Sequence, residues 1–461
     1  MRGTSGMTKF STVKQPNVVF VFADQWRAQA TGYSGNPDVR TPHLDALARQ
    51  SVNFTHAVSG CPVCTPYRAS LLTGQYPLTH GLFMNDVCLS NRAVSLAQAL
   101  TAGGYDTAYI GKWHVDGHGR SVYIPPERRQ GFDYWKVLEC THDYRHSAYY
   151  EGNSAEKRYW PGYDAEAQTA DAQAYLRAHT HADKPFLLVV SWAPPHDPYG
   201  TAPDSFRQWY DPQSITLPSN VPESLAGQAR ERIAGYYAHV SALDACVGRL
   251  VDTLRETGLE QDTLLVFTSD HGDMLGSQGQ WNKQRPYEES IRVPFLLRYP
   301  GMSGWTPHAT DVLIDAPDIM PTLLNLCHLP VPETVEGRDC SPQVQGHPAP
   351  VEDAALILCV QPFGQFTRMH HGGREFRGIR TKRHTYVRSL DGPWLLYDNR
   401  EDPFQLHNRV ADPAFEGIRL ALEDRLQAGL KARNDSFLPG SEYVRRWGYP
   451  LDETGTVPYS N

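Results

Sequence analysis

Four short apolar runs constrain this chain more than any other feature, because each stops abruptly at side chains able to do chemistry. Asn17-Val18-Val19-Phe20-Val21-Phe22 ends at Asp24-Gln25, and Thr107-Ala108-Tyr109-Ile110 ends at Lys112-Trp113-His114. Pro185-Phe186-Leu187-Leu188-Val189-Val190 runs into Pro194-Pro195-His196-Asp197, and Thr263-Leu264-Leu265-Val266-Phe267 into Asp270-His271-Gly272-Asp273. Continuous apolar runs of this length predict strands buried on both faces, as in a parallel sheet covered by helices. Helix-like segments lie between them at 41–50, 95–102, 165–178 and 228–256. Such alternation predicts an α/β sandwich. Ligands of open α/β sheets bind beyond the carboxyl ends of the strands, and every polar cluster here lies at such an end. Taken singly, Asp24 also reads as a helix cap, Lys112 to His114 as a solvated strand end, and His196 and Asp270 as turn residues. Four coincidences at four strand ends point instead to one convergent site.

A further stretch, Cys61-Pro62-Val63-Cys64-Thr65-Pro66-Tyr67-Arg68-Ala69-Ser70-Leu71-Leu72-Thr73-Gly74, is dense in reactive groups and reads as the start of a helix. Thr65 is a candidate cap, Pro66 suits a first turn, and 69–72 are good helix formers. Cys64 then sits where free backbone N–H groups gather and anions are favoured, with Arg68 one turn on aiming its guanidinium at the same spot. Two plain readings compete: Cys61 and Cys64 as small buried residues, or as a C-x-x-C metal or redox pair. A zinc ribbon would need a second pair, which none of Cys88, Cys140, Cys246, Cys327, Cys340 or Cys359 supplies.

Length and composition set outer limits. The 461 residues allow two domains or one large α/β domain with an appendage. Hydrophobic residues at 40% and aromatics at 11% suffice for a packed core, so disorder is not expected. A formal net charge of −8 argues against a nucleic-acid partner. Eight unevenly spaced cysteines do not form a disulfide framework pattern, and no apolar run approaches a membrane span. Residues 1–16 read as a leader: polar, without the apolar core of a signal peptide, and with Met1-Arg2-Gly3-Thr4-Ser5-Gly6 preceding a second Met7. A cytoplasmic location is expected, or a periplasmic or secreted one if a native signal has been removed.

Cys64-Thr65-Pro66-Tyr67-Arg68 resembles the C-x-P-x-R signature of the formylglycine-dependent sulfatases of the alkaline phosphatase superfamily, and Leu71-Leu72-Thr73-Gly74 continues it. Cys61 does not fit the spacing. Asp24-Gln25-Trp26-Arg27, Gly111-Lys112-Trp113-His114, Pro194-Pro195-His196 and Ser269-Asp270-His271-Gly272-Asp273 resemble further motifs of that family in its order. Thr41-Pro42-His43-Leu44-Asp45 and Ile291-Arg292-Val293-Pro294 are similar to its structural landmarks. Arg377-Gly378-Ile379-Arg380-Thr381, Leu396-Tyr397-Asp398 and Asp402-Pro403 are similar to its C-terminal part. Tyr67 departs from the Ser or Ala usual at its position. Gln25 and His271 depart from the usual Asp and Asn and resemble the variant of some sulfatases and of phosphonate monoester hydrolases.

The resemblance implies a large mostly parallel sheet sandwiched by helices over 17–350. A smaller α+β subdomain with an antiparallel sheet and a helix is implied for 351–461. It implies hydrolysis of an aryl or carbohydrate sulfate ester by a formylglycine made from Cys64. One divalent cation is implied on Asp24, Gln25, Asp270, His271 and modified Cys64: calcium, with manganese or magnesium as alternatives. Asp270 would help deprotonate the attacking hydroxyl, Arg68 and Lys112 stabilise the nucleophile, and His114 take the proton that releases sulfate. His196 and Lys283 would bind the far side of the sulfate and protonate the leaving oxygen. Maturation would need formylglycine-generating machinery; no nucleic acid or membrane partner is expected. Candidate substrate contacts are His142, His371 and Arg374, drawn from a wider set of Asp116, His118, Arg120, Glu139, Tyr149, His370 and Arg377. Residues 413–433 read as an amphipathic helix, and 435–461 as a tail over the cleft or a neighbouring subunit of a homo-oligomer. A phosphonate monoester or phosphodiester hydrolase, and a non-catalytic anion binder with unmodified Cys64, stay open; a two-zinc phosphatase lacks a second metal cluster.

Overall fold

A computed structural model describes residues 15–350, 353–364 and 372–460; most of the expected leader, together with His370 and His371, lies outside them. Ten strands form one sheet: β1 (Asn17–Asp24), β2 (Val52–Phe54), β3 (Asp106–Lys112), β4 (Tyr134–Leu138), β5 (Ala148–Glu151), β6 (Arg158–Tyr159), β7 (Phe186–Pro195), β8 (Thr263–Ser269), β9 (Phe295–Arg298) and β10 (His308–Thr310). Their spatial order is β10-β2-β9-β8-β1-β7-β3-β4-β5-β6. The central set β8-β1-β7-β3-β4 is parallel throughout, and β9 runs antiparallel to its neighbours. The apolar runs occupy this centre, as expected for strands with no solvent face. Alternate residues supply two cores: Val18, Phe20, Phe22, Leu264 and Val266 face one, and Val19, Val21, Leu265 and Phe267 face the other.

Helices close both faces. On the first lie α2 (Cys64–Thr73), α3 (Leu96–Ala102) and α6 (Ala316–Leu326); on the second lie α1 (Pro42–Ala48), α4 (Asp164–Ala178) and α5 (Ala226–Glu256). Ser95 and Asp315 start α3 and α6 with full capping boxes. Helix α1 is capped from elsewhere. Asp244 on α5 accepts hydrogen bonds from the backbone N–H groups of His43 (3.1 Å) and Leu44 (2.7 Å), which accounts for the Thr41-Pro42-His43 landmark. The expected cap at Thr65 is a correction: α2 begins at Cys64, and Val63 is its N-cap residue without a side-chain bond. Thr65 is inside the helix, its N–H taken by Asn85 Oδ1 at 3.1 Å and its hydroxyl donating to the His114 carbonyl at 2.7 Å.

A second sheet, antiparallel in the order β11 (Ala354–Cys359), β12 (Phe376–Thr381), β13 (His384–Ser389), β14 (Gly392–Asp398), follows. Leu422, Leu426 and Leu430 recur on one face of α7 (Glu416–Ala432) and pack on Leu356, Ile379, Tyr386 and Leu396 of this sheet. Burying each leucine contributes roughly 1.5–3 kcal/mol. The opposite face packs on Val58, Ile291 and Leu313 of the larger layer. The chain continues through α8 (Gly440–Trp447), and its last described residues return to the carboxyl end of the large sheet. Among the described residues no helix is long and apolar enough to cross a membrane, and all eight cysteines are free.

Candidate active site

The carboxyl ends of β1, β3, β7 and β8 converge with the first turn of α2. Cys64 Sγ lies 3.2 Å from Lys283 Nζ, 3.3 Å from His271 Nε2 and 3.6 Å from Asp24 Oδ1. The ligand-capable atoms of Asp24, Cys64, Asp270 and His271 all lie within 4.8 Å of one another, fully buried. Gly111 permits the approach of β3: a Cβ on it would come 2.1 Å from the Ser191 carbonyl oxygen, and its φ of 108° suits glycine alone.

Arg68 organises the carboxylates. Its Nη2 donates to Asp24 Oδ2 (3.2 Å) and Asp270 Oδ2 (3.1 Å), while Nη1 donates to the Lys112 carbonyl (2.9 Å) and Ser191 Oγ (2.8 Å). Lys112 Nζ adds a 2.5 Å contact to Asp24 Oδ2. Burial works against ionisation of Asp24, yet Lys112 holds it well below the usual carboxylate range. Asp270 is pushed up to about 6, by burial and by the Asp24 charge. Two carboxylates this close favour a divalent cation between them.

The other expected ligands are oriented for such an ion. His271 Nδ1 is 3.0 Å from the Gly272 carbonyl, to which it can only donate, so Nε2 turns its lone pair to the cluster. Gln25 takes a left-handed backbone conformation (φ 70°), and its Nε2 donates to Asp273 Oδ2 at 2.7 Å. Gln25 Oε1 is left buried without a partner. An orphaned amide oxygen, two carboxylates and an imidazole nitrogen form a donor set suited to a hard or borderline cation, so the residues fit the metal that the sequence implied.

On the opposite side Lys283 Nζ donates to His196 Nε2 at 2.9 Å, and His196 Nδ1 lies 2.9 Å from the Asp197 carbonyl. Burial and the Lys283 charge hold His196 well below the usual imidazole range. Lys283 is raised despite burial, by Cys64 and Asp24. In the resting pair the proton therefore belongs to Lys283. Burial and Asp24 push the Cys64 thiol up, but Lys112, Lys283 and His271 pull it well below the usual thiol range. His114, also left-handed (φ 58°), has both ring nitrogens buried without a hydrogen-bond partner, with Nε2 3.6 Å from Asp86 Oδ1.

Cys64, Lys112, His114, His196 and Lys283 line a cleft of about 260 Å³. His142 belongs to its wall and stacks on His196 at 4.7 Å. Arg374 does not line it: the guanidinium lies 4.4 Å over the Trp394 ring. Arg377 is spent on Asp435, Asp116 on Arg128 and Tyr149 on Trp160, whereas Arg120 does reach the cleft. The tail supplies wall residues Thr456 and Tyr459, the Tyr459 ring lying 3.5 Å from the Arg120 guanidinium; Arg120 also holds Asp86 with two bonds of 2.9 and 2.8 Å.

Sequence reasoning missed Asp273, Tyr199, Asn85 and Asp86. Asp273 was visible inside the Asp-His-Gly-Asp motif as an acid without a role; it accepts from both Gln25 and Tyr199. Asn85 and Asp86 carry no local signal, since each acts on a partner brought close only by folding.

The chain matches the Sulfatase family model over residues 16–329, and the model for the C-terminal part of N-sulphoglucosamine sulphohydrolase over 276–432. It is 43% identical to an ulvan-active sulfatase of Formosa agariphila, the match covering 98% of this chain and 89% of that protein. An endo-4-O-sulfatase of Bacteroides thetaiotaomicron is 32% identical, with 87% of this chain and 89% of that one covered. Among solved structures, the sulfatase YidJ of Bacteroides fragilis superposes with a TM-score of 0.83 at 30% identity, covering 93% of this chain and 98% of its own. The phosphonate monoester hydrolase of Agrobacterium radiobacter follows at a TM-score of 0.74 and 26% identity, with 97% and 100% covered. Motifs in family order, the fold that gathers them and matches running nearly end to end lead to one assignment: this chain belongs to the sulfatase family and hydrolyses sulfate esters.

Proposed function

We propose that the substrate is a carbohydrate sulfate, and that the nucleophile is a formylglycine derived from Cys64 working with one divalent cation on Asp24, Gln25, Asp270 and His271. The observation that carries this reading is the position of Cys64: first residue of a helix, within 3.6 Å of Lys283, His271 and Asp24 together. The similarity to an ulvan-active sulfatase and an endo-4-O-sulfatase supports a carbohydrate.

The hydrated aldehyde supplies a pair of hydroxyls, one to attack sulfur and one whose deprotonation later expels sulfate, so water never attacks sulfur. The cation supplies charge to neutralise sulfate oxygens and acidify the nucleophile; calcium is the first choice, and the His271 nitrogen keeps manganese and magnesium in play. Arg68 and Lys112 fix the two carboxylates from behind and prevent their repulsion from opening the site. Lys283 binds the sulfate side of the ester and gives its proton to the departing sugar oxygen, with His196 buffering the transfer through Nε2. His114, whose Nε2 pairs with Asp86 at 3.6 Å and whose ring nitrogens make no hydrogen bond, accepts the proton whose loss frees sulfate. His142, Arg120 and Tyr459 form a wall against which a sugar ring can lie.

Peptide mass analysis for an aldehyde at position 64, together with metal content, tests the nucleophile and cation. An unmodified thiol in an active preparation would overturn the first. Phosphonate monoester hydrolysis is the second reading, favoured by the Gln25 and His271 pair and by the likeness to the Agrobacterium enzyme. Rates on sulfate and phosphonate esters of one alcohol separate the two.

A further inference from the structure

A second cavity, of about 450 Å³, opens on a different part of the molecule and shares no lining residue with the catalytic cleft. Its wall collects polar atoms that are buried and without a hydrogen-bond partner: Arg27 Nε and Nη1, Gln29 Oε1, Glu289 Oε2 and Arg292 Nε. Arg27 and Glu289 are 2% and 5% exposed. Leaving such groups unpaired costs about 1–3 kcal/mol each, and more when they are charged. Arg27 and Glu289 offset each other's charge, but the hydrogen-bonding atoms left over on both are gathered in one place, where a ligand can relieve them.

The surrounding bonds hold these groups in position. Glu289 Oε1 accepts from Asn220 Nδ2 at 2.7 Å, and the same Nδ2 donates to the Phe404 carbonyl at 3.0 Å, which presents Phe404 on the rim. The Arg27 backbone N–H donates to Tyr236 OH at 2.9 Å, so the side chain leaves a fixed point. Arg292 Nη1 is 3.4 Å from Glu288 Oε2, which anchors one end of that guanidinium and leaves Nε over.

We propose that this cavity binds an anionic sugar, carboxylated or sulfated. Arg27 and Arg292 both line the cavity, and guanidinium groups suit oxyanions. Glu289 Oε2 and Gln29 Oε1 are acceptors and require a ligand that also donates, as hydroxyls do, while a bare inorganic anion would meet the Glu289 charge unrelieved. Leu217 and Phe404 provide an apolar wall for the C–H face of a sugar ring. The volume falls within the range of small-molecule sites. The ligand class follows from the cavity's own groups and does not rest on the choice of substrate at Cys64.

The test uses metal-loaded Cys64→Ala protein, which cannot turn the probes over, with methyl glucuronide as the carboxylate probe and glucose 6-sulfate as the sulfate probe. Crystals soaked with each should show density in this cavity, with the anionic group on Arg27. In solution, affinity for methyl glucuronide, which offers the catalytic cleft no sulfate, measured by ligand-observed NMR should fall about tenfold or more when Arg27→Met is added. It should fall about threefold with Phe404→Ala, an exposed position that cannot unfold the chain. The probe that binds identifies the anionic group. Empty cavities after soaking with both probes, or affinities unchanged in both double variants, overturn the proposal; if Arg27→Met does not melt cooperatively, Phe404→Ala and the soaked crystals decide.

Discussion

Arg68 and Arg27 are both buried to within 2% of full coverage, and the protein treats them in opposite ways. Arg68 makes four hydrogen bonds, two of which are also ion pairs, all to groups of the candidate active site, and leaves its Nε without a partner. Arg27 has Nε and Nη1 with no partner, and its neighbour Glu289 is half satisfied. In the first place charge is balanced within the chain, so the carboxylates are held ready before substrate arrives. In the second Arg27 and Glu289 oppose each other's charge, but hydrogen-bonding atoms of both are left for a visitor. Burial alone thus does not identify a structural charge; what matters is whether the partners are built in.

The largest effect belongs to the centre. Cys64→Ala should abolish turnover of an aryl sulfate, a loss of about 10⁴-fold or more in kcat, while far-UV circular dichroism is unchanged. Cys61, three residues earlier, packs in the apolar core and touches none of the catalytic groups, so Cys61→Ala should stay within about threefold. Equal losses at both positions would break the distinction between nucleophile and packing residue.

Next comes a direct test of the two arginines by thermal and urea unfolding. Arg68→Met leaves Asp24 and Asp270 without their shared cation and should cost about 3–5 kcal/mol, with loss of activity. Arg27→Met takes the opposing charge from Glu289 but breaks no hydrogen bond at Nε or Nη1, and should cost distinctly less, about 1 kcal/mol. A destabilisation of Arg27→Met as deep as that of Arg68→Met would mean that the second cavity is balanced internally after all.

Within the centre, the Lys283–His196 pair should matter according to the leaving group. Lys283→Ala and His196→Ala should each lower kcat/KM on an alkyl or sugar sulfate by about a hundredfold, and distinctly less on nitrophenyl sulfate, whose phenolate leaves without a proton. Arg68→Ala should show no such preference, because both substrates need the carboxylates fixed. Indiscriminate losses at both Lys283 and His196 would remove the pair from the leaving-group role. The smallest effect is expected at the rim: Tyr459→Ala should raise KM for a sugar sulfate about threefold and leave nitrophenyl sulfate unaffected, since only the sugar reaches the tail.

Legibility in the sequence followed the range of the interactions. Asp24, Lys112, His196 and Asp270 could be placed together because each ends an apolar run, and parallel strands bring their carboxyl ends to one edge. The α2 start was legible only approximately. Thr65 carries the right side chain for a cap, but its own N–H is answered by Asn85, twenty residues away in the chain, and no local pattern announces such a partner. Arg374 was drawn in by its neighbours' charge; it lies on Trp394 because the β-sheet it precedes offers an aromatic face. The tail was legible as a cover, and the structure lays it on Arg120 at the cleft.

The sequence by itself determined the layer architecture, since runs that are apolar on every residue can only be buried on both faces. It also determined the residue types available for sulfate ester chemistry, since spacing between strand ends and the helix start is local information. Only the tertiary structure decided which of the available charges cancel. Arg27 lies just past the end of β1 and Arg68 just inside the start of α2, and in one dimension the two look alike. Their difference depends on Asp24, Asp270 and Ser191 surrounding the one and on Glu289, Asn220 and Tyr236 standing around the other. Coulomb energy falls with distance in space and not along the chain, so that division exists only once the sheet has closed.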